Sequence, residues 1–493
     1  MTLTEQLAGW ASRLTLDEIP PRVVECAKSQ VLSQLAAARA SQEHPLGRRV
    51  TEAFGPAWQP GDPKQTAYVL AALTMCLDFD DTMYAGHVSH STVNVSLAYA
   101  SALGLDGQAL LTAVIAANEC AARMTAAATL GQLRGQTAVH THLAGAVAAR
   151  SRSEAASVEQ WVQAWGIALA MASWPLTRAF MGSDAKVLTA SVPVRVGLDA
   201  CDAAAAGLRG APDILEHPDG FLARVASVPV PEAVTRGLGE RWHTETLSFK
   251  VYPGCAYIDA AVDCAVALHR ELPSLRPEEV MEIRVHGSIF TVGMELRSAP
   301  FVVGPDSSVS ALNFSVGYNV ATALLTGALT PADFARERLG DQRRWALAAK
   351  VRVEHDWALT RRAVLATAPL GEALRQAGDR AADWLRTMGG VQAADLLVNA
   401  GAPADSFEDA EKAIGARVEV HLADGRVLAH ARDIPLGAAG PQTRRAHAAL
   451  MRDKFLACGG TAETADALAE LERLPETEVA RTMATALVPR SSV

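Results

Sequence analysis

Aromatic residues are scarce in this chain, at 5% of 493, and its seven cysteines are scattered, odd in number and free of any C-x-x-C spacing. That cysteine usage predicts a reducing, cytoplasmic setting, with the thiols serving as small apolar groups. It argues against zinc sites and disulfide frameworks. No basic run interrupts a formal net charge of −9, so neither nucleic acid nor an anionic membrane is expected as a partner. A local pair of lysines is still enough to hold an anionic substrate. Apolar runs such as Ala113-Val114-Ile115-Ala116-Ala117 are cut by Asn118 and Glu119 before they reach bilayer length. The opening Met1-Thr2-Leu3-Thr4-Glu5 lacks the basic and apolar regions of a secretory leader. Internal repeats and low-complexity linkers are also missing.

What remains is a globular composition, 49% hydrophobic and 20% charged, long enough for two domains or three. Up to about residue 268 the texture is helix after helix, rich in Ala and Leu, with turns such as Gly104-Leu105-Asp106-Gly107. Ala-rich stretches at 144–150 and 200–206 suit close helix packing. After Pro277 the pattern changes. Val280-Met281-Glu282-Ile283-Arg284-Val285-His286 and Val351-Arg352-Val353-Glu354 alternate as half-buried strands do. Asp424-Gly425 between two further alternating runs signals a hairpin. Helical texture returns from about residue 442. The expected fold is mainly α: a helical domain from residues 1–274 and 439–493, with an inserted α+β lid domain at 275–438. Helical sequence at 358–413 separates two of the lid strands by a long interval.

The densest chemistry lies in Leu77-Asp78-Phe79-Asp80-Asp81-Thr82, followed by His87 and His90. Apolar sequence flanks it on both sides. Charges in such surroundings must be paired, hydrated or used. Three readings are open. The acids can cap helix ends, can bind a hard cation, or can work with the histidines in acid–base catalysis. The D-x-D-D-T string also resembles the acid motif of class II terpene cyclases, but the low aromatic content speaks against a carbocation pocket. His90 precedes Ser91 and Thr92, which read as the cap of a following helix. A histidine there meets the positive end of the dipole and is favoured as a neutral base. Lys186, in Gly182-Ser183-Asp184-Ala185-Lys186-Val187-Leu188, and Lys250, in Phe249-Lys250-Val251-Tyr252-Pro253-Gly254-Cys255, are cations in apolar settings. Either can be explained by snorkelling to water. Tyr318 shares a helix face with Phe314, as core packing or as a proton-donating phenol.

Taken in order, these islands resemble the MmgE/PrpD family. The matching motifs are Leu77 to Thr82 with His90, the Gly-Ser-x-x-Lys ending at Lys186, Lys250-x-Tyr252-Pro253-x-Cys255, Phe314-Ser315-x-x-Tyr318, and Val418-x-Val420-x-Leu422-x-Asp424-Gly425-Arg426. Gly210 to Leu222 adds a sixth. Members of that family include dehydratases, decarboxylases and epimerases of small carboxylates. The resemblance implies a homodimer, with no metal and no organic cofactor, whose active site lies between the helical and lid domains. By motif position Asp80, His90, Lys186, Lys250 and Tyr318 correspond to its catalytic residues. His140, Asp259 and Tyr84 are assigned to substrate binding. The chain departs from the family pattern in a stretch at about 358–413 that is longer than the family's norm, and in three motifs. His90-Ser91-Thr92 stands for His-Pro-Ser, Asp259 stands for a histidine, and the Arg-Gly-x-His stretch is altered between Arg134 and His142.

The resulting expectation is a cofactor-independent lyase. It would dehydrate or decarboxylate a small carboxylate substrate through an enolate-like anion. Lys186 and Lys250 supply positive charge. His90, oriented by Asp80, shuttles the proton, and Tyr318 protonates from the lid. Asp78 and Asp81 are left as helix-end and packing groups. Epimerisation on the same scaffold is one alternative. A repurposed, catalytically silent binding protein is another.

Overall fold

Helix starts follow the capping chemistry of the sequence. In the computed structural model, which describes residues 1–84, 86–132 and 136–487, Asp62 accepts from the Gln65 amide and opens the helix Pro63–Cys76. Asp106 does the same for Gly107–Ala127 through the Ala109 amide. Gly104, at φ +66°, ends the preceding helix Ser89–Leu103 in the left-handed conformation that glycine adopts most readily. The Gly104–Gly107 turn is therefore a C-cap followed by an N-cap.

The fold is mainly helical with a small sheet. Helix Gln136–Ser153 lies at the centre of the helical part. It packs against Gly107–Ala127, Ser89–Leu103 and Leu188–Ala205. Small residues permit this closeness. A Cβ on Gly145 would stand 2.4 Å from the Ser91 hydroxyl, and one on Gly197 would stand 2.9 Å from the Ala146 methyl. The helix Pro441–Ala457, late in the chain, returns to lie along Pro21–Glu43 near its other end. Among the described residues no helix is long and apolar enough to cross a membrane.

Two sheets matter for the site. The first is minimal: β1 (Asp81–Thr82) pairs antiparallel with β2 (Ser248–Phe249), in the register Asp81 to Phe249. The second has four strands in the order β4-β3-β5-β6. β3 (Val280–Gly287) runs parallel to β4 (Val351–His355) and antiparallel to β5 (Ala416–Leu422). β5 and β6 (Val427–Arg432) form the expected hairpin, with Gly425 at φ +89° in its turn. Ile283, Val285, Val418 and Val420 are fully buried on one face. Helices Asp259–Glu271 and Val316–Thr326 pack against each other and against this sheet.

The interval at 358–413 contains the helices Trp357–Leu365, Glu372–Ala377 and Ala382–Ala394. It docks on the helical part through a buried ion pair, Arg241 to Glu372 at 2.9 Å. Phe407 caps this contact, 4.5 Å from the Arg241 guanidinium and 4.9 Å from the His243 ring.

Candidate active site

The helix Pro63–Cys76 ends just before Asp78, whose φ of +50° is left-handed and unusual for a residue with a side chain. Such a backbone persists only when its surroundings hold it. Here the Gly254 amide donates to the carbonyls of Leu77 and Asp78, and the Lys250 ammonium donates to the Asp78 carbonyl at 2.8 Å. Lys454, from the helix Pro441–Ala457, donates to the Phe79 carbonyl at 2.6 Å and lies 4.0 Å from the Phe79 ring centre. Pairing of β1 with β2 is what carries Lys250, the residue after β2, to this loop.

The side chains form a continuous charged chain. Lys186 meets the Asp78 carboxylate at 2.7 Å. Lys250 meets the other Asp78 oxygen, and Asp80 at 2.9 Å. The second Asp80 oxygen accepts from His87 Nδ1 at 2.5 Å. His90 Nε2 lies 3.1 Å from that same oxygen but is not aligned for a hydrogen bond. Its Nδ1 is 2.8 Å from the Thr74 hydroxyl. The two imidazoles stack at 5.8 Å, and His142 meets His90 edge-on at 5.3 Å. His87 is 21% exposed, whereas Asp80 and His90 are fully buried.

Burial sets the proton affinities and the partners decide their direction. Burial pushes the Asp78 carboxyl up, but Lys186 and Lys250 overrule it and hold it well below the usual range. Asp80 is likewise pushed up by burial and held low by His87, Lys250 and His90. Lys250 is lowered by burial and raised further by Asp78 and Asp80, so it stays charged. Burial lowers His90 and, more strongly, His142, so both imidazoles are favoured neutral. Asp81 behaves differently. Burial and the neighbouring Asp80 push it up to about 7, while its hydrogen bond from Ser89 opposes this.

Several expectations need correction. Asp78 is not a solvent-facing helix end; it is the buried anion that both lysines share. Ser91 and Thr92 do not cap the helix. The helix begins at Ser89, so His90 lies inside its first turn. Of the cluster's histidines, His87 rather than His90 combines a direct Asp80 hydrogen bond with access to solvent. Tyr318 does not join the cluster. Its hydroxyl donates to the Asp333 carbonyl, Arg344 lies 3.4 Å away, and its ring packs on Trp345 and Phe334, all within residues 318–345. The Tyr84 ring packs on His243 and Phe407, with its hydroxyl in the field of Glu372 and Arg241. His140 is turned to the Ser173 carbonyl at 3.1 Å and to Phe221. Arg134 and Gly135, part of the altered histidine stretch, lie outside the described residues.

Two buried cations were not foreseen, Lys454 at the Phe79 carbonyl and Lys412. Lys412 is buried and donates to the Thr82 hydroxyl at 2.7 Å. Burial, with Lys250 nearby, lowers its ammonium to about 8, and the field of Asp259 opposes this. Asp259 is pushed up by burial to about 8, against the pull of Lys250. For Lys412, a single lysine in Glu411-Lys412-Ala413-Ile414-Gly415 was the available signal.

Asp80, His87 and His90 could also offer ligand atoms to a cation, since these atoms lie within 4.8 Å of one another. An ion there would have to part the 2.5 Å contact between Asp80 and His87 and sit beside an ammonium already 2.9 Å from Asp80. The arrangement therefore fits proton transfer better than cation binding.

Comparison with known proteins agrees with this architecture. Residues 5–233 match the MmgE/PrpD N-terminal domain, and residues 252–379 match the MmgE/PrpD C-terminal domain. The chain belongs to the MmgE/PrpD family. Asp78, Asp80, His87, His90 and Lys186 fall within the N-terminal match. Lys250 lies in the short gap between the two MmgE/PrpD matches, and Lys412 lies beyond both. A relative, the cis-aconitate decarboxylase of Aspergillus terreus, is 25% identical over 386 residues, covering 72% of this chain and 78% of its own length.

Proposed function

We propose that this MmgE/PrpD protein is a cofactor-independent lyase for a small carboxylate substrate, acting by dehydration or decarboxylation through an enolate-like anion. The observation that carries the reading is the relay His87–Asp80–Lys250–Asp78–Lys186, in which the one partly exposed group is an imidazole backed by a buried carboxylate. Asp80 engages His87 Nδ1, which leaves Nε2 to take a proton from the carbon beside the substrate carboxylate. The ammoniums behind it stabilise negative charge as it develops, in a site from which water is largely excluded. His90, neutral and packed against His87, keeps the relay aligned. The relative that decarboxylates cis-aconitate supports a lyase of this general type. The resemblance to the family also carries the homodimer into this proposal.

Enolate formation has a direct readout. Candidate carboxylates incubated with the protein in deuterated water should exchange the proton beside the carboxylate, followed by NMR. The His87→Ala variant should exchange it at least a hundredfold more slowly. Equal exchange by the two proteins would sink the proposal. Inverted stereochemistry without loss of water or carbon dioxide would favour epimerisation on the same parts.

A further inference from the structure

Away from the relay, the end of the helix Leu3–Ala11 faces a loop far along the chain. The Arg13 amide donates to the Trp10 carbonyl at 3.2 Å, so Trp10 and Arg13 leave the backbone on one turn. Glu18 follows in the short helix Leu16–Glu18. With Leu14, Gly239 and Trp242 these residues line a cavity of about 360 Å³. That is within the size of small-molecule sites, roughly 300–1,000 Å³. None of the six belongs to the relay.

The lining selects a class of ligand. The two indoles meet at 5.9 Å and 54°, too close for a group to pass between them, so they form one aromatic wall. Trp242 is buried, and Trp10 keeps its indole N–H beside Gly239, where an added Cβ would stand 3.6 Å from Nε1. Among the described residues that N–H has no acceptor. Arg13 and Glu18 are exposed and opposite in sign. Among the described residues neither forms an ion pair, with the other or elsewhere. Glu18 accepts from Thr15 through one carboxylate oxygen and leaves the other free. A guanidinium and an indole N–H without acceptors suit a carboxylate, a free carboxylate oxygen suits an ammonium, and the wall suits a ring.

We infer that this cavity binds an aromatic amino acid in its zwitterionic form. The carboxylate meets Arg13 and Trp10 Nε1, the ammonium meets Glu18, and the ring lies on Trp10 and Trp242. The site is separate from the relay and does not depend on the lyase reading.

Isothermal titration of the full-length protein with L-phenylalanine should show saturable binding. Three shortened ligands each lack one part: hydrocinnamate the ammonium, phenethylamine the carboxylate, L-alanine the ring. Losing either charge should weaken binding about fivefold, the upper worth of an exposed ion pair. Losing the ring should weaken it by about tenfold or more. Arg13→Gln should bind L-phenylalanine about fivefold more weakly and phenethylamine as wild type does. Glu18→Gln should show the same loss, with hydrocinnamate as the indifferent ligand. Both side chains are exposed, so neither substitution disturbs the core. His87→Ala should bind L-phenylalanine as wild type does. Absence of L-phenylalanine binding to wild type overturns the inference, and so does binding that neither Arg13→Gln nor Glu18→Gln weakens. Loss of binding in His87→Ala would put the ligand in the relay and overturn it as well.

Discussion

Lys250 holds Asp78 twice, at its backbone carbonyl 2.8 Å away and at its carboxylate. One ammonium thus fixes both a left-handed backbone and a buried charge. Asp78→Asn would leave Lys186 and Lys250, both buried, short of an anion. Breaking a buried pair in this way typically destabilises by about 3–5 kcal/mol. Urea unfolding should show that loss. A change below about 1 kcal/mol, the range of exposed pairs, would mean the lysines are not paired as described.

The two histidines should separate kinetically. His87→Ala is expected to lower kcat by about 10²–10⁴-fold with little change in melting temperature, since His87 is partly exposed. His90→Ala removes a fully buried ring from between Asp80, Thr74 and His142. It should lower the melting temperature clearly, and its loss of turnover should be partly recovered by His90→Gln. Equal kinetic defects with unchanged melting in both variants would show His90 to be the shuttle.

Tyr318→Phe tests whether the lid phenol takes part. The hydroxyl donates to the nearby Asp333 carbonyl. Its removal should therefore reduce stability by about 1 kcal/mol, as for one hydrogen bond, and leave kcat within a few-fold. A hundredfold fall in kcat at unchanged stability would restore Tyr318 to the chemistry.

Asp81 makes folding depend on pH. Its folded pKa of about 7 exceeds the ordinary 3.8, so the folded state holds the proton more tightly. That contribution is fully present below about pH 4 and is lost as pH rises through about 7. Asp81→Asn cannot ionise and can still accept from Ser89. The variant should melt several degrees above wild type at pH 8 and close to it at pH 4. A difference of the same size at both pH values would show that Asp81 is not the titrating group.

The long interval between the lid strands should depend on its buried anchor. Glu372→Gln leaves the Arg241 guanidinium without its carboxylate. Hydrogen exchange is expected to speed up across residues 358–413 and to stay slow in the helix Gly107–Ala127. Protection unchanged across 358–413 would assign the docking to Phe407 and its apolar contacts instead.

Much of this was legible in sequence because local chemistry was sufficient. Asp62, Asp106 and Gly104 mark helix ends by hydrogen bonding and allowed backbone angles. The alternation in β3 and the Asp424-Gly425 turn encode strands by period and turn type. The ordered motifs identified the family. Their spacing could not say which of two histidines three residues apart faces Asp80 and solvent.

The sequence by itself determined the elements, the family and the crowd of acids and histidines between residues 78 and 90. Only the tertiary structure decided how that crowd is wired. Asp78, Lys186 and Lys250 are far apart in the chain, and Lys412 and Lys454 arrive from segments more than three hundred residues beyond the loop they reach. Propensity and hydrophobic period are local and survive in a single sequence. Charge compensation depends on distances between distant segments, so whether an acid is a cap or a shared counter-ion is settled only when the chain has closed around it.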